Sequence, residues 1–576
     1  MDAELRRLCD EYLAVERHPE FRKEILDLMD ADDEEDIRDR FYTQLAFGTG
    51  GLRGVIGGGY NRVNPYMVRR ATQGLANYIE GQRLTDPSVV IAYDCRRYSE
   101  LFAEEAALVL AYNGIKAYLF SSLRPTPELS FAVRQLGAAA GIVITASHNP
   151  SSYNGYKVYW SDGAQVVPPH DEGILKEVRN ITGDIPVLGL ASASAKGLLE
   201  MVDSAIDDSF INMIAGQVIK ADLVRDKGHK IKVVYTPLHG AGRASVETIL
   251  TKMGVDYLTV PEQREPDGAF PTVESPNPEE GKALQMAISL AKKVGASLVM
   301  GTDPDSDRLG IAVQSGDEYQ LLTGNQLGAL LCDYIFCARS KLGTLPKAPV
   351  MVKTIVTTEL QRKIAESYGA KVYDVLTGFK YIGEKIRQFE KTDEEYIFGG
   401  EESYGYLIGT EIRDKDAVSA AAMTVEMALH NVSRGWSVLD HLDDIYRRFG
   451  YYRETLISKT FTGEQGRKKI DELMERLRKT APVQIGGQAI VEVRDYQSGI
   501  VSVPEGSAVG HIDLPKSNVL QFYLEHGVFS VRPSGTEPKI KYYGSCWSER
   551  DMPLGAAKIF VESLIDELEQ AVDELS

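Results

Sequence analysis

The sequence predicts an α/β protein in which three α/β domains with mixed, largely parallel sheets precede a smaller C-terminal α+β domain. The chain of 576 residues is too long for one hydrophobic core, because single cores stop growing near about 250 to 300 residues. From residue 85 onward, short β-branched runs alternate with helical periods, which is typical of sheets with parallel strands. After about residue 446 that alternation stops.

Each α/β block repeats the same succession of short apolar runs and amphipathic stretches. Strands are predicted at 89–94, 116–120, 140–146, 231–236, 296–303, 350–357, 371–376 and 396–403. Helices are predicted near 99–113, from Pro127, at 279–294 and at 416–434. In the last block, a charged helix near 464–479 and an acidic helix from about 555 enclose several short strands. The predicted domains are 1–205, 206–322, 323–446 and 447–576.

Composition restricts the class of partner. The net charge of −19 disfavours binding to nucleic acid or to acidic membranes, so an anionic substrate requires a local cluster of basic side chains. No apolar run approaches the roughly 18 residues of a membrane helix, and the N-terminus does not resemble a signal peptide. The five cysteines lack metal-ligand spacing and suit reduced thiols. We therefore expect a cytoplasmic protein that acts on small molecules.

The sequence Ser147-His148-Asn149-Pro150 follows the third strand of the first block. In open α/β sheets, functional groups collect beyond the carboxyl ends of the strands. A serine hydroxyl at this position is presented to solvent or substrate. Ser, Asn and Pro are also ordinary turn residues, so an ordinary turn remains the alternative.

The sequence GTDPDSDRLG places Asp303, Asp305 and Asp307 at alternate positions after a strand of the second block. Alternate side chains of an extended loop face one way, so the three carboxylates can converge on one hard cation. Mg²⁺ fits best, because it takes a few carboxylate oxygens and completes its shell with phosphate. A solvated acidic loop is the alternative.

Two further loops carry polar groups. In FGGEESYG, Glu401 and Ser403 leave a glycine-rich turn and suit the hydroxyls of a sugar. In RPSGTEPK, Arg532 adds a guanidinium to the backbone and hydroxyl donors of three residues, namely Ser534, Gly535 and Thr536. Such a turn can bind phosphate and supplies the basic cluster that the acidic chain requires.

Taken together, TASHNP, DPDSDR, GGEESYG and RPSGTE, in this order, resemble the α-D-phosphohexomutase family. The resemblance covers nearly the whole chain and is supported by NGYKVYWSDGAQ and TGFKYIGEKI. The chain is similar to the longer branch of phosphoglucomutases and phosphopentomutases. The family fold implies four domains around a central cleft. Where some members carry a histidine after the Glu-x-Ser element, this chain has Tyr404-Gly405, so no histidine acid or base is expected there.

The resemblance implies that Ser147 carries a phosphoryl group and that Mg²⁺ is held by Ser147, Asp303, Asp305 and Asp307. Sugar phosphates are the implied partners, and glucose 1,6-bisphosphate is the implied activator and intermediate. Proton transfer is assigned first to Lys157, on the expectation that burial and neighbouring arginines depress the pKa of its ammonium, and second to Lys380. The other implied catalytic residues are Arg53 and His148. The implied substrate-binding residues are Arg308, Thr377, Gly378, Glu401, Ser403, Arg532, Ser534, Gly535, Thr536 and Lys541.

The implied reaction interconverts glucose 1-phosphate and glucose 6-phosphate. Within the family, a phosphomannomutase, a phosphopentomutase and a sugar bisphosphate synthase remain open, because pocket shape decides a difference of one hydroxyl. Two other classes are also considered. A serine phosphohydrolase would use the same serine and metal but would release phosphate, whereas a non-enzymatic sensor of sugar phosphates would not need the serine and the aspartates.

Overall fold

A computed structural model describes residues 1–45, 47–48, 50–461, 463–504, 506–534 and 539–575. The chain divides into two compact units. The first contains residues 1–324 and 379–433, and the second contains residues 325–378 and 434–576. Among the described residues, no helix combines the length and the apolar character that crossing a membrane requires.

The chain begins with three helices that the sequence analysis did not predict: α1 (Ala3–Val15), α2 (Pro19–Asp30) and α3 (Glu34–Phe41). Asp2 and Asp33 cap α1 and α3 by accepting backbone N–H groups of the first turn, which satisfies donors that have no partner within the helix. The apolar faces share a core with Tyr66, whose backbone N–H donates to the buried carboxylate of Glu16. The helices therefore belong to the first unit.

The first α/β region forms a mixed sheet of order β1-β5-β4-β2-β3-β6. Its elements are β1 (Gly51–Val55), α4 (Pro65–Gly81), β2 (Ser88–Tyr93), α5 (Ser99–Tyr112), β3 (Lys116–Phe120), α6 (Thr126–Gln135), β4 (Ala140–Ile144), β5 (Tyr153–Trp160), α7 (His170–Asn180), α8 (Leu190–Ala195) and β6 (Leu199–Val202). β2 pairs in parallel with β3 and β4, whereas β5 runs antiparallel to β4 and β1. Because parallel strands end at one edge, the residues after β2 and β4 lie side by side.

The second α/β region repeats this arrangement with the sheet order β11-β10-β9-β7-β8. Its elements are α9 (Ser204–Gln217), α10 (Ala221–Lys227), β7 (Lys232–Thr236), α11 (Gly242–Lys252), β8 (Asp256–Thr259), α12 (Pro261–Arg264), α13 (Gly281–Val294), β9 (Leu298–Thr302), β10 (Leu309–Ser315) and β11 (Glu318–Leu322). β7, β8 and β9 are parallel, and β10 is antiparallel to β9 and β11. β9 ends directly before Asp303, so the aspartates occupy the connection from β9 to β10.

The third α/β region contributes to both units. In chain order its elements are α14 (Gly324–Leu342), β12 (Pro349–Thr354), α15 (Glu359–Ser367), β13 (Lys371–Val375), α16 (Phe379–Phe389), β14 (Glu395–Glu401), β15 (Gly405–Ile408), α17 (Ala417–Ser433) and α18 (Val438–Phe449). In the second unit, β12 and β13 pair in parallel. In the first unit, β14 and β15 form an antiparallel hairpin in which Glu401 is opposite Gly405.

The C-terminal region of the second unit is built on a sheet of order β16-β23-β22-β21-β18-β19-β20, with β17 paired to β18. Its elements are β16 (Tyr452–Thr460), α19 (Gly463–Lys479), β17 (Gln484–Ile485), β18 (Gln488–Asp495), β19 (Ile500–Ser502), β20 (Ala508–His511), β21 (Leu520–Leu524), β22 (Gly527–Pro533), β23 (Lys539–Trp547) and α20 (Leu554–Leu575). The described pairings within this sheet are antiparallel. The predicted fold class, three α/β domains followed by an α+β domain, is confirmed.

Candidate active site

Ser147 lies just beyond β4 and is almost fully buried, with 2% of its surface exposed. Its backbone has φ +53°, in the left-handed region that non-glycine residues rarely adopt. The backbone N–H donates to Thr145 Oγ1 at 2.8 Å, and the side-chain Oγ donates to Asp303 Oδ2 at 2.8 Å. The tetrapeptide does form a turn, but that turn directs the hydroxyl at a carboxylate 156 positions away. Such strained residues cluster at functional sites.

The three predicted aspartates converge. Asp303, Asp305 and Asp307 are each at most 1% exposed, and one carboxylate oxygen of each lies within 4.8 Å of the others. The connection is a tight turn with Ser306 at φ +52°, not the extended loop that the sequence analysis assumed. Oδ1 of Asp303 accepts the backbone N–H groups of Asp307 and Arg308, both at 3.1 Å. The turn therefore brings the carboxylates together through its own backbone.

The buried carboxylate oxygens fit a bound cation. Oδ1 of Asp305 and Oδ1 of Asp307 are buried and have no hydrogen-bond partner among the described residues. Buried charges require pairing or metal coordination, and clustered carboxylate oxygens are ligands for hard divalent cations. The aspartates can therefore hold a metal ion, as the sequence analysis expected.

Two lysines approach the same carboxylates. Lys157 Nζ lies 2.9 Å from Asp305 Oδ2, and Lys415 Nζ lies 3.1 Å from Asp307 Oδ2. Burial lowers the pKa of Lys157, but Asp305 and Asp307 outweigh that effect and raise it above its ordinary value. The predicted depression of this pKa is therefore wrong, because the prediction took account of the arginines and not of Asp305 and Asp307.

Lys415 was not among the residues predicted for the site. Its pKa is raised, because Asp307 and Asp414 outweigh the effect of burial. The signal was the charged run EIRDKDA, which begins three residues after the end of β15 and in which Arg413, Asp414 and Asp416 are buried. Consecutive charged residues are ordinarily solvated, and only the tertiary structure distinguishes this run from a surface loop.

The pKa values of the aspartates depend on one another and on the groups around them. Burial together with Asp307 and Asp305 raises the pKa of Asp303 well above its usual value. Burial also opposes ionisation of Asp305, but the Lys157 ammonium and a hydrogen bond from Thr126 hold its pKa below the usual range. Thr126 Oγ1 donates to Asp305 Oδ2 at 2.9 Å, a contact that the sequence analysis did not anticipate.

Basic groups lie near the aspartate turn and His148. Arg308 Nε lies 3.7 Å from Asp307 Oδ1, and its Nη1 forms an ion pair with Glu279. Burial, followed by Arg308 and Arg53, lowers the pKa of His148 well below its usual value. His148 Nδ1 is 3.2 Å from Ser147 Oγ. The imidazole is therefore neutral at neutral pH and within hydrogen-bond distance of the hydroxyl.

The hairpin that carries Glu401 lies beside the aspartate turn. The backbone N–H of Leu309 donates to the carbonyl of Tyr404 at 3.1 Å. Glu401, at the end of β14, is 9% exposed, and Ser403 is half-buried in the turn that follows. The sugar-binding candidates and the metal-binding candidates of the first unit are therefore neighbours.

Lys380 lies elsewhere in the first unit. Its Nζ is 3.6 Å from Oδ2 of Asp171, which is a different carboxylate from those of the aspartate turn. Burial lowers the pKa of Lys380, partly offset by Asp171. The lowered pKa of a lysine, which was expected at Lys157, is thus found at the second candidate.

The remaining predicted residues belong to the second unit. Arg532 on β22 is directly opposite Lys541 on β23, so two cationic side chains share one face of the sheet. The backbone N–H of Ser534 donates to the carbonyl of Lys539 at 2.7 Å. Like charges at opposed positions repel unless an anion lies between them. Thr377 and Gly378 follow β13, and Gly535 and Thr536 lie outside the described residues.

Comparison with known proteins decides the family. Sequence profiles of the phosphoglucomutase/phosphomannomutase α/β/α domains I, II and III match residues 44–184, 208–316 and 323–449. The phosphoglucomutase of Staphylococcus haemolyticus is 37% identical over 510 residues, which is 87% of this chain and 90% of that protein. The phosphoglucomutase of Staphylococcus epidermidis is 38% identical over 89% of this chain and 92% of that protein. The chain belongs to the phosphoglucomutase/phosphomannomutase family.

Solved structures share the phosphoglucomutase/phosphomannomutase fold. The open form of parafusin, a phosphoglucomutase from Paramecium, has a TM-score of 0.68 at 16% identity and covers 92% of this chain and 96% of its own. A phosphoglucomutase/phosphomannomutase family protein from Burkholderia thailandensis has a TM-score of 0.65 at 18% identity, with coverage of 92% and 98%. These structures show the shared fold, and the family resemblance predicted from the motifs is confirmed by the sequence profiles and the Staphylococcus relatives.

Proposed function

We propose that the chain is a phosphoglucomutase, which interconverts glucose 1-phosphate and glucose 6-phosphate through a phosphorylated Ser147 and a glucose 1,6-bisphosphate intermediate. The observation that carries the proposal is the hydrogen bond from Ser147 Oγ to Asp303, one member of a buried carboxylate cluster. Family membership and curated relatives named phosphoglucomutase bear out the reaction predicted from the sequence. The roles of individual residues below are part of the proposal.

Mg²⁺ is the proposed metal, with Asp303, Asp305 and Asp307 as its protein ligands. The hard oxygen donors, two of them without hydrogen-bond partners, support this assignment. When bound, Mg²⁺ offsets the negative charge on the phosphoryl oxygens of Ser147. Arg308 adds a fixed positive charge beside the same carboxylates.

In the first half-reaction, the bond between phosphorus and Ser147 Oγ breaks as a bond to the sugar 6-hydroxyl oxygen forms. Ser147 Oγ gains a proton from the Lys157 ammonium, and the proton lost by the sugar hydroxyl restores that ammonium. Lys157 is the proposed proton donor to Ser147, because neighbouring aspartates keep its ammonium protonated. Lys380, whose pKa is lowered by burial, is the second candidate for proton transfer. His148 orients the Ser147 hydroxyl, and Arg53 adds positive charge.

Recognition of the substrate is assigned to two sets of residues. Glu401 and Ser403 bind ring hydroxyls, as their placement beside the aspartate turn supports. In the second unit, the opposed cations Arg532 and Lys541 bind the phosphate that is not being transferred. The remaining proposed contacts of that phosphate or of the sugar are Ser534, Gly535, Thr536, Thr377 and Gly378.

The deciding experiment is coupled kinetics on the 1-phosphates of glucose, mannose and ribose, each with and without glucose 1,6-bisphosphate. We expect the largest kcat/KM for glucose 1-phosphate and stimulation by the bisphosphate. A preference for mannose 1-phosphate or ribose 1-phosphate would instead indicate a phosphomannomutase or a phosphopentomutase. Release of inorganic phosphate without isomerisation would instead indicate a phosphohydrolase.

A further inference from the structure

The side chain of Arg96 is fully buried beneath the loop that carries Ser147. Its Nη2 donates to the carbonyls of Ser147 at 2.6 Å and Asn149 at 2.5 Å. Its Nη1 donates to the carbonyls of Pro150 at 2.8 Å and Tyr153 at 3.0 Å. One guanidinium therefore satisfies four backbone acceptors of a single loop, and its planar fork of donors suits that geometry.

Asp94 contacts both Arg96 and Thr145, the residue two positions before Ser147. Its carboxylate lies 3.3 Å from Arg96 Nε and accepts the hydroxyl of Thr145 at 2.7 Å. Thr145 Oγ1 in turn accepts the backbone N–H of Ser147. The buried ion pair thus acts on Ser147 from both sides: Arg96 donates to its carbonyl directly, and Asp94 is linked to its N–H group through Thr145.

A segment of the second α/β region covers this ion pair. The guanidinium carbon of Arg96 lies 5.0 Å from the centre of the Phe270 ring, and Phe270 is 2% exposed. Ser275 Oγ donates to the carbonyl of His148 at 3.0 Å. Hydrogen bonds to charged groups are stronger where water is excluded, so the cover rigidifies the loop.

We infer that Arg96 is a positioning residue for Ser147, an inference that rests on the proposed function for its catalytic consequence. Arg96 donates to four backbone carbonyls of the loop, and within the described part of the chain it forms no hydrogen bond with a side-chain oxygen of Ser147 or of the aspartate turn. It holds Ser147 in its left-handed conformation, with Oγ directed at Asp303. We call the four hydrogen bonds from Arg96 to the loop the Arg96 clamp. Loss of this clamp lets the loop relax and moves Ser147 Oγ away from the reacting position, while the substrate-binding side chains stay in place.

The test uses Arg96→Lys, which keeps a positive charge beside Asp94 but cannot reach four carbonyls. We expect at least about a 10-fold acceleration of hydrogen exchange at the amides of residues 147–153, with the amides of β2 unchanged. We expect kcat to fall by about 100-fold, the scale of a misplacement near 1 Å, with KM for glucose 1-phosphate within about 3-fold. Arg97→Lys is the matched control, since the exposed side chain of Arg97 contacts the neighbouring Tyr98.

A second variant covers the case in which Arg96→Lys does not fold. Phe270→Leu removes the ring over the guanidinium but keeps the ion pair, and should accelerate exchange in the same loop to a smaller extent. Unchanged exchange in the folded variants, or an unchanged kcat, would overturn the positioning role. The exchange measurement needs no substrate. If the wild-type protein failed to convert sugar phosphates, the proposed function would be wrong, but hydrogen exchange would still show whether Arg96 holds the loop.

Discussion

The ammonium nitrogen of Lys157 lies 2.9 Å from Oδ2 of Asp305 and 3.6 Å from Oδ2 of Asp307. The lysine thus neutralises carboxylates that are also the proposed ligands of Mg²⁺. A cation bound there would take over part of that neutralisation and weaken the influence that raises the pKa of Lys157. Metal binding and the acidity of this lysine are therefore linked through shared oxygens.

Lys157→Met should separate the role of the lysine in proton transfer from its effect on metal binding. We expect kcat to fall by about 100-fold or more, the usual contribution of a proton-transfer group. Affinity for Mg²⁺, measured by calorimetric titration, should rise, because no ammonium then competes for Asp305. Lys196→Met, at an exposed position, is the control. Weaker binding of Mg²⁺ by Lys157→Met would show that the lysine supports the metal site.

Ser147→Ala should abolish turnover and leave thermal unfolding nearly unchanged, because a loop hydroxyl contributes little packing. Intact-mass analysis of the wild-type protein after incubation with glucose 1,6-bisphosphate should show one added phosphoryl group, mapped to Ser147. The variant should show none. Ser152→Ala, an exposed serine of the same loop, should retain both activity and phosphorylation. An unmodified wild-type chain would rule out the phosphoserine mechanism.

Asp305→Asn should abolish turnover while binding of glucose 1-phosphate remains measurable by calorimetry, because the proposed phosphate-binding cations belong to the second unit. Removal of divalent metal with a chelator should have the same effect on the wild-type protein and should be reversed by Mg²⁺. Asp317→Asn, at an exposed position on the same α/β region, is the control. Equal loss of binding and turnover would mean that the two sites are not separable.

In the proposed second half-reaction the other phosphoryl group of the bisphosphate returns to Ser147, so the sugar must bind in two orientations. Arg532→Ala tests whether one phosphate site serves both half-reactions. Binding of glucose 1-phosphate and glucose 6-phosphate should weaken by similar factors, each on the order of 1.5 to 3 kcal/mol for a charge-assisted contact. Turnover should also depend more strongly on added glucose 1,6-bisphosphate, because the intermediate escapes more often. Lys516→Ala, at an exposed position, should change neither the binding of the two sugar phosphates nor the dependence of turnover on glucose 1,6-bisphosphate. A loss confined to one isomer would require two separate phosphate sites.

Glu454 in β16 gives the second unit a pH-dependent stability. Burial raises the pKa of its carboxyl from 4.5 to about 7. Between those values the folded state binds more protons than the unfolded state, so stability falls as pH rises through this window. In the wild-type protein, Glu454 should lower the free energy of unfolding by on the order of 2 to 3 kcal/mol between pH 5 and pH 8. In Glu454→Gln, the midpoint of urea unfolding should therefore change less over this pH range. The exposed Glu525→Gln should keep the wild-type pH dependence, and an identical profile for Glu454→Gln would contradict the assignment.

Much of the fold was predictable because its signals are local. The succession of β2, α5, β3, α6 and β4 follows from runs of β-branched residues and helical periods, and the predicted bounds agree with the structure to within a few residues. The three N-terminal helices and the antiparallel strands β5 and β10 were not predicted. The direction and partners of the two strands, each of which lies between two others in its sheet, and the packing of the helices depend on long-range contacts, which no short window of sequence encodes.

By itself, the sequence determined which chemical groups this protein has and the order in which they follow the strands: a serine, three alternate aspartates, a glutamate and an arginine. The tertiary structure decided which groups meet. Ser147 and Asp303 are 156 positions apart, and Lys157 and Asp305 are 148 apart. Lys415 and Arg96 become part of the site only through such long-range contacts. Charge interactions depend on distances in space, so the protonation of Lys157 could not be read from neighbours along the chain.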